Sequence, residues 1–300
     1  MAKSDWKIAI VGGGPEAREL VGRLGNLPGV TLVGWAEGEN AGADPVAPTG
    51  LMIPKFADHS DLIRRAEPEV VIILTPHPGH YRPAMEALQA GCHVFLDRPL
   101  TAGVQEAVDI AGLAKGRGLK VAVGGTLRLL PSFVAARQLV ETMAVGPIRL
   151  VTAASTPDRG MAMVDALLWT TGRTALEVAA FRDLSEETGG GMIASIRLSG
   201  GVLATISIPE VSPGPEIELV FHGKSGRLRA TGSSLAEARG DGPWRDLDTP
   251  EARQEMIENF MDAITSGNEP CCPADGAVDS TRLQEAISRS AEIGQVVRLA

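Results

Sequence analysis

Two short stretches of this sequence have residue types and spacing that could do chemistry: Gly12–Ala17 (GGGPEA) and Asp97–Leu100 (DRPL). The first follows an apolar run, Lys7–Val11, and opens a helical pattern, Glu16–Leu24. A strand, a glycine turn and a helix in that order place a diphosphate on backbone N–H groups at the helix N-terminus. The second stretch follows another apolar strand, where a side chain would meet the far end of the same dinucleotide. The sequence therefore predicts a groove for a dinucleotide cofactor.

The glycine turn has a physical reason at each position. Gly12 permits a tight turn, Gly14 lets the backbone approach a phosphate, and Ala17 is small enough for the helix to pack on the strand. Pro15 and Glu16 complete the predicted cofactor-binding turn. The alternative is a glycine-rich turn that binds no ligand.

A carboxylate follows the second strand candidate. Glu37 comes about 25 residues after Gly12, where it can accept hydrogen bonds from the adenosine ribose and would repel a 2′-phosphate. No Arg or Lys follows it until Lys55, so the sequence favours NAD(H), with NADP(H) possible. Two alternatives stay open: Glu39 takes this role, or Glu37 is an exposed loop acid.

The elements that must position these residues alternate between strands and helices up to about residue 125. The strand candidates are Lys7–Val11, Val30–Trp35, Val70–Thr75, His93–Leu96 and Lys120–Val123, and the helix candidates are Glu16–Leu24, Ser60–Ala66, Tyr81–Ala90 and Val104–Lys115. This alternation predicts right-handed crossovers and a doubly wound parallel sheet. Gly38–Pro54 is rich in Gly, Ala and Pro, and is predicted to be a loop.

From Pro131 onwards, strands follow one another with little helix between them. The strand candidates are Ile148–Ala153, Leu176–Phe181, Met192–Leu198, Val202–Ile208, Ile217–His222 and Arg227–Ala230, and the helix candidates are Ser132–Thr142, Met161–Thr171, Glu251–Ser266 and Ser280–Ile293. A mostly antiparallel sheet of this kind can pack helices on one face and leave the other for a partner. We therefore predict an α/β protein with a Rossmann domain over residues 1–125 and a substrate and oligomerisation domain over residues 126–300.

The composition excludes several classes of protein. The net charge of -9 argues against a nucleic-acid partner. No apolar run approaches the roughly 18 residues that span a bilayer, and the N-terminus has no signal-peptide pattern, so we expect a cytoplasmic protein without a membrane partner. Three cysteines, Cys92, Cys271 and Cys272, are too few for a disulfide framework, and their spacing does not suit zinc, so no metal site is predicted.

Further motifs resemble the Gfo/Idh/MocA oxidoreductase family, which includes glucose–fructose oxidoreductase and inositol dehydrogenase. Thr75–His80 (TPHPGH) is similar to its T-P-x-x-x-H stretch, and Ala87–Leu100 (ALQAGCHVFLDRPL) to its A-L-x-A-G-x-H-V junction and E-K-P-L signature. The likeness continues through Arg128, Pro131, Val145–Ile148, Asp165–Gly172, Pro273–Gly276 and Gly294–Arg298. It implies a Rossmann domain, a second domain with an open antiparallel sheet, and a homodimer or homotetramer that forms through that sheet.

The resemblance also implies roles for individual residues. Thr75, Pro76 and His80 would line the cofactor groove, and Asp97 would stand beside the nicotinamide ribose. A second reading of His80 makes it a proton shuttle near the nicotinamide. Family members often have a cis peptide before the signature proline, so we expect one at Arg98–Pro99.

Two signature positions depart from the family. Arg98 replaces the lysine; it can orient and polarise a substrate oxygen but cannot act as an acid or base. Ala162 falls where the family has its proton-transferring histidine. Asp158 is the candidate substitute if burial raises its pKa, and an N-cap for the Met161 helix is the alternative. Arg98 and Asp158 are therefore the candidate catalytic residues.

Two more charged residues are candidates for substrate binding. Arg128 could hold a carboxylate or phosphate, or form a structural ion pair, and Asp165 lies in the family's active-site segment. Together the residues predict an NAD(P)-dependent oxidoreductase that transfers a hydride on a small polar alcohol or carbonyl, sugar-like compounds included. The alternative is a non-catalytic dinucleotide-binding sensor or partner-binding protein that has lost turnover. His59 and His222 give no functional signal.

Overall fold

A computed structural model describes residues 5–38, 52–183, 190–209, 216–249 and 255–299. Most of the predicted loop Gly38–Pro54 and the first residues of the predicted helix Glu251–Ser266 lie outside these ranges. No helix in the described ranges is long and apolar enough to cross a membrane.

The strands and helices are numbered in chain order. The strands are β1 (Trp6–Gly12), β2 (Val30–Ala36), β3 (Lys55–Phe56), β4 (Val70–Leu74), β5 (His93–Leu96), β6 (Val121–Val123), β7 (Ile148–Ser155), β8 (Ala175–Arg182), β9 (Met192–Leu198), β10 (Val202–Ile208), β11 (Ile217–Gly223), β12 (Gly226–Thr231), β13 (Leu235–Arg239), β14 (Arg245–Asp246) and β15 (Val297–Arg298). The helices are α1 (Pro15–Leu24), α2 (His59–Ala66), α3 (Tyr81–Gln89), α4 (Val104–Arg117), α5 (Pro131–Glu141), α6 (Gly160–Thr171), α7 (Met256–Ser266) and α8 (Ala274–Ile293).

The chain forms two compact units, of Met1–Gly124 with Glu255–Val278, and of Gly125–Gln254 with Asp279–Ala300. The sequence analysis assigned all of residues 126–300 to the second domain. Segment 255–278 joins the first unit because α7 adds to that unit's core. There the Phe260 ring lies 5.8 Å from that of Phe95. The carbonyl of Cys272 also accepts a hydrogen bond of 2.9 Å from Val123 N.

The first unit contains a parallel sheet in the order β3-β2-β1-β4-β5-β6, which confirms the predicted doubly wound fold. Residues Ile8–Val11 of β1 are fully buried because helices cover both faces of the sheet. One face carries α1 and α7, and the other carries α2, α3 and α4. The strand order reverses between β1 and β4, and ligands of such sheets bind at the carboxyl edge beside this switch point.

The second unit contains a mixed sheet whose described strands run β14-β13-β12-β11-β7-β10-β9-β8-β15. The pair β7 and β10 is parallel and the other pairs are antiparallel, close to the predicted arrangement. Side chains alternate along β9 and β10, and their buried face packs with α5, α6 and α8. The opposite face leaves three large apolar side chains 63%, 57% and 50% exposed, those of Phe181, Ile193 and Leu203.

Strand β13 and helix α8 differ from the predictions. Strand β13 (LAEAR) was missed because Ala and Glu have low strand propensity, and pairing with β12 forms the strand instead. Helix α8 begins at Ala274 rather than Ser280. The earlier start is possible because the carbonyl of Pro273 accepts a hydrogen bond of 3.2 Å from Ala277 N.

Candidate cofactor and active site

The turn after β1 has no room for a side chain at its first glycine. Gly12 has φ of +120°, and a Cβ there would lie 2.6 Å from the carbonyl carbon of Leu74 and 2.9 Å from Thr75 N. The backbone of β1 therefore passes directly against the end of β4. Only glycine combines this positive φ with this close approach.

The start of α1 is open. Gly14, its N-cap, has φ of +102° and provides no side-chain cap, and no described atom lies within 4 Å of where its Cβ would be. Pro15 and Glu16 begin the helix, and Ala17 is fully buried against the sheet. The free N–H groups and the positive end of the helix dipole suit a diphosphate, so this turn fits a dinucleotide.

Glu37 follows β2 at the same edge of the sheet, since Val11 of β1 is in register with Ala36 of β2. Its Oε1 lies 2.5 Å from the Nζ of Lys55. Lys55 is 18 residues from Glu37 along the chain. Strand β3 nevertheless pairs with β2 and places Lys55 beside Trp35. Separation along the chain did not predict this contact, because pairing of parallel strands brings residues that are distant in the sequence close together in space.

A cavity of about 280 Å³ opens between these loops and the first turn of α3. Val11, Gly38, His59, Thr75 and Tyr81 contribute to its lining. Thr75 Oγ1 and His59 Nε2 are buried and have no hydrogen-bond partner within the described ranges, although Glu86 Oε2 lies 3.4 Å from the histidine nitrogen. Buried polar atoms are normally satisfied, so this cavity suits a polar ligand such as a nucleotide. Nothing in the sequence indicated that His59 lines this cavity. Its burial at the start of α2 is the structural observation that draws attention to it.

His80 does not line the groove as the resemblance implies. The side chain is fully buried, with Nε2 2.6 Å from the carbonyl oxygen of Thr75 and Nδ1 2.9 Å from that of Pro99. Both ring nitrogens thus face backbone carbonyls. The ring joins the loop after β4 to the loop after β5, and it has no exposed surface. Pro76, at the start of the first loop, is exposed.

The loop after β5 presents Asp97 and Arg98. The expected cis peptide at Arg98–Pro99 is confirmed. Asp97 N donates to the carbonyl of Ile73 at 3.1 Å, and a Cβ on Gly124 would lie 2.8 Å from Asp97 Oδ1. Both side chains are half-buried. Neither forms an ion pair with any other described residue. A carboxylate and a guanidinium are therefore both available at the carboxyl edge of the first unit's sheet.

Arg128 and Asp165, the predicted substrate-binding pair, hold each other in the second unit. Arg128 Nε lies 2.8 Å from Asp165 Oδ2, and Arg128 Nη2 lies 2.5 Å from Oδ1. The Ser280 hydroxyl donates to the same Oδ1 at 3.0 Å, and Arg128 is only 7% exposed. This is the structural ion pair that the sequence analysis kept as an alternative.

Asp158 fits neither of its predicted roles. Its side chain is 73% exposed and lies 3.5 Å from Arg159 Nε, so burial does not tune it as a base. Helix α6 begins at Gly160, and its N-cap residue is Arg159, not Asp158. Ala162, where the family has histidine, is 5% exposed and belongs to the core of the second unit.

Residues 6–125 match the Gfo/Idh/MocA family model, described as an oxidoreductase family with an NAD-binding Rossmann fold. Residues 6–125 are therefore similar to the NAD-binding Rossmann domain of that family. Three curated proteins match part of this chain, and each match spans only 23% to 30% of the relative's own length.

Relatives of this chain include two enzymes named for sugar-like substrates. UDP-N-acetylglucosamine 3-dehydrogenase of Acidithiobacillus ferrooxidans is 37% identical over 73 residues, which are 24% of this chain and 23% of that protein. Its solved structure has a TM-score of 0.81 at 20% identity and covers 96% of this chain and 98% of its own. Inositol 2-dehydrogenase 1 of Saccharopolyspora erythraea is 24% identical and covers 98% of this chain and 96% of its own.

A second solved structure has the same fold. It is an oxidoreductase from Agrobacterium radiobacter in complex with NAD+, L-tartaric acid and magnesium. Its TM-score is 0.82 at 15% identity, and the match covers 98% of each chain.

Proposed function

We propose that this chain is an NAD(P)-dependent oxidoreductase that transfers a hydride on a small polar alcohol or carbonyl. The carrying observation is the open N-terminus of α1 at Gly14, beside a glycine turn that admits no side chain. The neighbouring cavity, with its two unsatisfied polar atoms, supports a nucleotide in the same groove. When bound, a nicotinamide cofactor supplies or accepts the hydride.

Arg98 is the proposed electrophile. Its guanidinium keeps its charge at every physiological pH, so it can orient a substrate oxygen and stabilise negative charge on it. It cannot give up a proton, and the exposed carboxylate of Asp158 is not held as a tuned base. We therefore propose carbonyl reduction as the easier direction, with Arg98 polarising the oxygen and water giving the proton.

The substrate class is proposed from the relatives. Enzymes that act on UDP-N-acetylglucosamine and on inositol are similar to this chain, so sugar-like carbonyls and polyols are the first compounds to test. For the cofactor we propose NAD(H), because Glu37 stands where it can accept hydrogen bonds from a ribose and because a structure of the same fold holds NAD+.

We also propose a cytoplasmic homodimer or homotetramer. The exposed face of the second sheet supports an interface there, because Phe181 and Ile193 pair across neighbouring strands with exposed apolar side chains, and Leu203 is a third exposed apolar residue on that sheet. The net charge of -9 gives no support to a nucleic-acid partner. Light scattering after size exclusion measures the oligomeric state, and Ile193→Asp should shift the protein to the monomer.

The decisive experiment follows NADH absorbance with a panel of sugar-like carbonyls. Arg98→Ala should lower turnover by about 100-fold or more while NADH binding persists, since a positioned charge acts mainly on the transition state. Arg98→Lys keeps the charge and should retain part of the rate. Arg117→Ala, which removes a surface arginine of α4, is the matched control.

Two results would count against this proposal. NADH binding without turnover of any carbonyl would favour the non-catalytic dinucleotide-binding protein. Absence of binding to both NADH and NADPH would exclude a dinucleotide role.

A further inference from the structure

Lys55 lies beside the acid that faces the adenosine end of the groove. The register Trp35 to Lys55 between β2 and β3 sets its backbone, and its Nζ lies 5.0 Å from the centre of the Trp35 ring. The same Nζ is 2.5 Å from Glu37 Oε1. A buried aromatic ring and a carboxylate therefore hold the ammonium group next to Glu37.

This ion pair can exchange partners. The side chain of Lys55 is 56% exposed and that of Glu37 is 38% exposed, and pairs exposed to this degree contribute little to stability. Arg65, a cation of α2, lies over Phe56 and is paired with Asp61 at 3.1 Å. Lys55 is thus the cation in contact with Glu37 that can turn towards a ligand at little cost.

The two charges have opposite effects on a phosphate group at the 2′ position of the adenosine ribose. The Glu37 carboxylate alone would repel it, which is why an acid at this point favours NAD(H). An ammonium group on the same carboxylate cancels much of that repulsion and can bind the phosphate as a charge-assisted partner. Glu37 can still accept from the ribose hydroxyls when no phosphate is present.

We propose that Lys55 determines cofactor specificity, because it allows this groove to accept a 2′-phosphate and therefore NADP(H) as well as NAD(H). The inference rests on the proposed dinucleotide-binding function. It assigns the discrimination to a balance between Glu37 and Lys55 rather than to the acid alone.

The test is a set of binding titrations on the full chain, with the fluorescence of NADH and NADPH as readout. Displacement of NADH by 2′,5′-ADP and by 5′-ADP isolates the adenosine end, because neither competitor carries a nicotinamide. Lys55→Gln should raise the ratio of the NADPH and NADH dissociation constants by about tenfold, since it removes one charged partner of the phosphate. It should weaken 2′,5′-ADP by the same factor and leave 5′-ADP unchanged.

Two variants complete the design. Glu37→Gln should lower the ratio, because it removes the repulsion. Lys120→Gln removes a lysine that pairs with Glu269 elsewhere on the first unit, and it should leave the ratio unchanged. Both should melt within a few degrees of the parent protein.

The outcomes separate the inference from the function on which it rests. A rise of the ratio by at least about threefold in Lys55→Gln over Lys120→Gln supports the inference. A smaller change, or a parent protein that binds NADH and no NADPH, overturns it and leaves the proposed function intact. A parent protein that binds neither nucleotide overturns both.

Discussion

The two units differ in whether their candidate charged residues have partners within the described chain. At the carboxyl edge of the first unit's sheet, Asp97 and Arg98 make no ion pair with other described residues, and Gly14 leaves the start of α1 open. In the second unit, Arg128 is buried and Asp165 is mostly buried, and the two satisfy each other, with Ser280 as a third partner. The first unit has polar groups available for a ligand, whereas Arg128 and Asp165 stabilise the fold of the second unit.

The first way to break this comparison is to fill the glycine turn. Gly12→Ala would set a Cβ 2.6 Å from the backbone of β4 at a positive φ, so the turn must move. Close overlap and an unfavourable φ together cost about 3 kcal/mol, which we expect to weaken NADH binding by about 100-fold. The measurement is calorimetric titration with NADH.

A glycine in the adjacent helix provides the control. A Cβ on Gly22 of α1 would meet nothing within 4 Å, so Gly22→Ala should leave NADH binding unchanged and stabilise the protein slightly. If both variants bind NADH like the parent, the open turn is not the phosphate site.

The second prediction concerns the pair in the second unit. Arg128→Ala would leave the carboxylate of Asp165 buried without its main partner, and such losses cost about 3–5 kcal/mol of unfolding free energy. Urea denaturation measures the change. Arg128 and Arg137 both lie over the Trp169 ring, but Arg137 is more exposed. Arg137→Ala should therefore lower the unfolding free energy by less than about 1 kcal/mol.

The double variant sharpens the comparison. Removing Asp165 together with Arg128 should recover part of the lost stability, because no unpaired charge then remains. Unchanged stability in Arg128→Ala, with a raised KM for substrate, would return Arg128 to the substrate-binding role that its sequence position first indicated.

The third prediction tests His80, the buried ring of the first unit. His80→Phe keeps an aromatic ring but removes the two ring nitrogens that lie within hydrogen-bond distance of the carbonyls of Thr75 and Pro99, at a cost of about 2 kcal/mol. We expect NADH binding to weaken several-fold as well, since both loops approach the groove. A fully stable variant with unaltered binding would contradict the role we assign to this ring.

Backbone-determined features were the predictable part of this protein. The glycine turn, the parallel sheet of the first unit and the cis peptide at Arg98–Pro99 follow from local patterns or from the family signature, because few sequences satisfy those geometries. The strands Leu235–Arg239 and Val297–Arg298 were not predictable, since they form only by pairing with neighbours distant in the chain.

Side-chain roles were less predictable than positions. Motif position alone placed His80 in the groove and Arg128 on the substrate, but both find their partners inside the fold. Lys55 is the opposite case, because the sequence analysis assigned it no partner. It is 18 residues from Glu37 in the chain, but the β2–β3 pairing brings the two side chains into contact. The partners of a charge depend on tertiary contacts that motif spacing does not encode.

The smallest effect we predict lies in the first unit but away from its open edge. Burial raises the pKa of the Cys92 thiol from 9.0 to about 11, and its Sγ donates to the carbonyl of Pro68 at 3.1 Å. The folded protein therefore keeps the thiol proton at pH values where the unfolded chain loses it. This contribution to stability is complete below pH 9.0 and is lost as the pH rises towards about 11.

Over that window the parent protein should lose about 1–2 kcal/mol of unfolding free energy more than Cys92→Ala. Urea denaturation of both proteins at several pH values measures the difference, in which other titrating groups cancel. Because Cys92 immediately precedes β5, at the end opposite the carboxyl edge, Cys92→Ala should bind NADH like the parent. Parallel pH profiles for the two proteins would mean that the thiol ionises as readily in the folded chain as in the unfolded one, and weakened NADH binding would mean that the open edge depends on packing at the far end of the sheet.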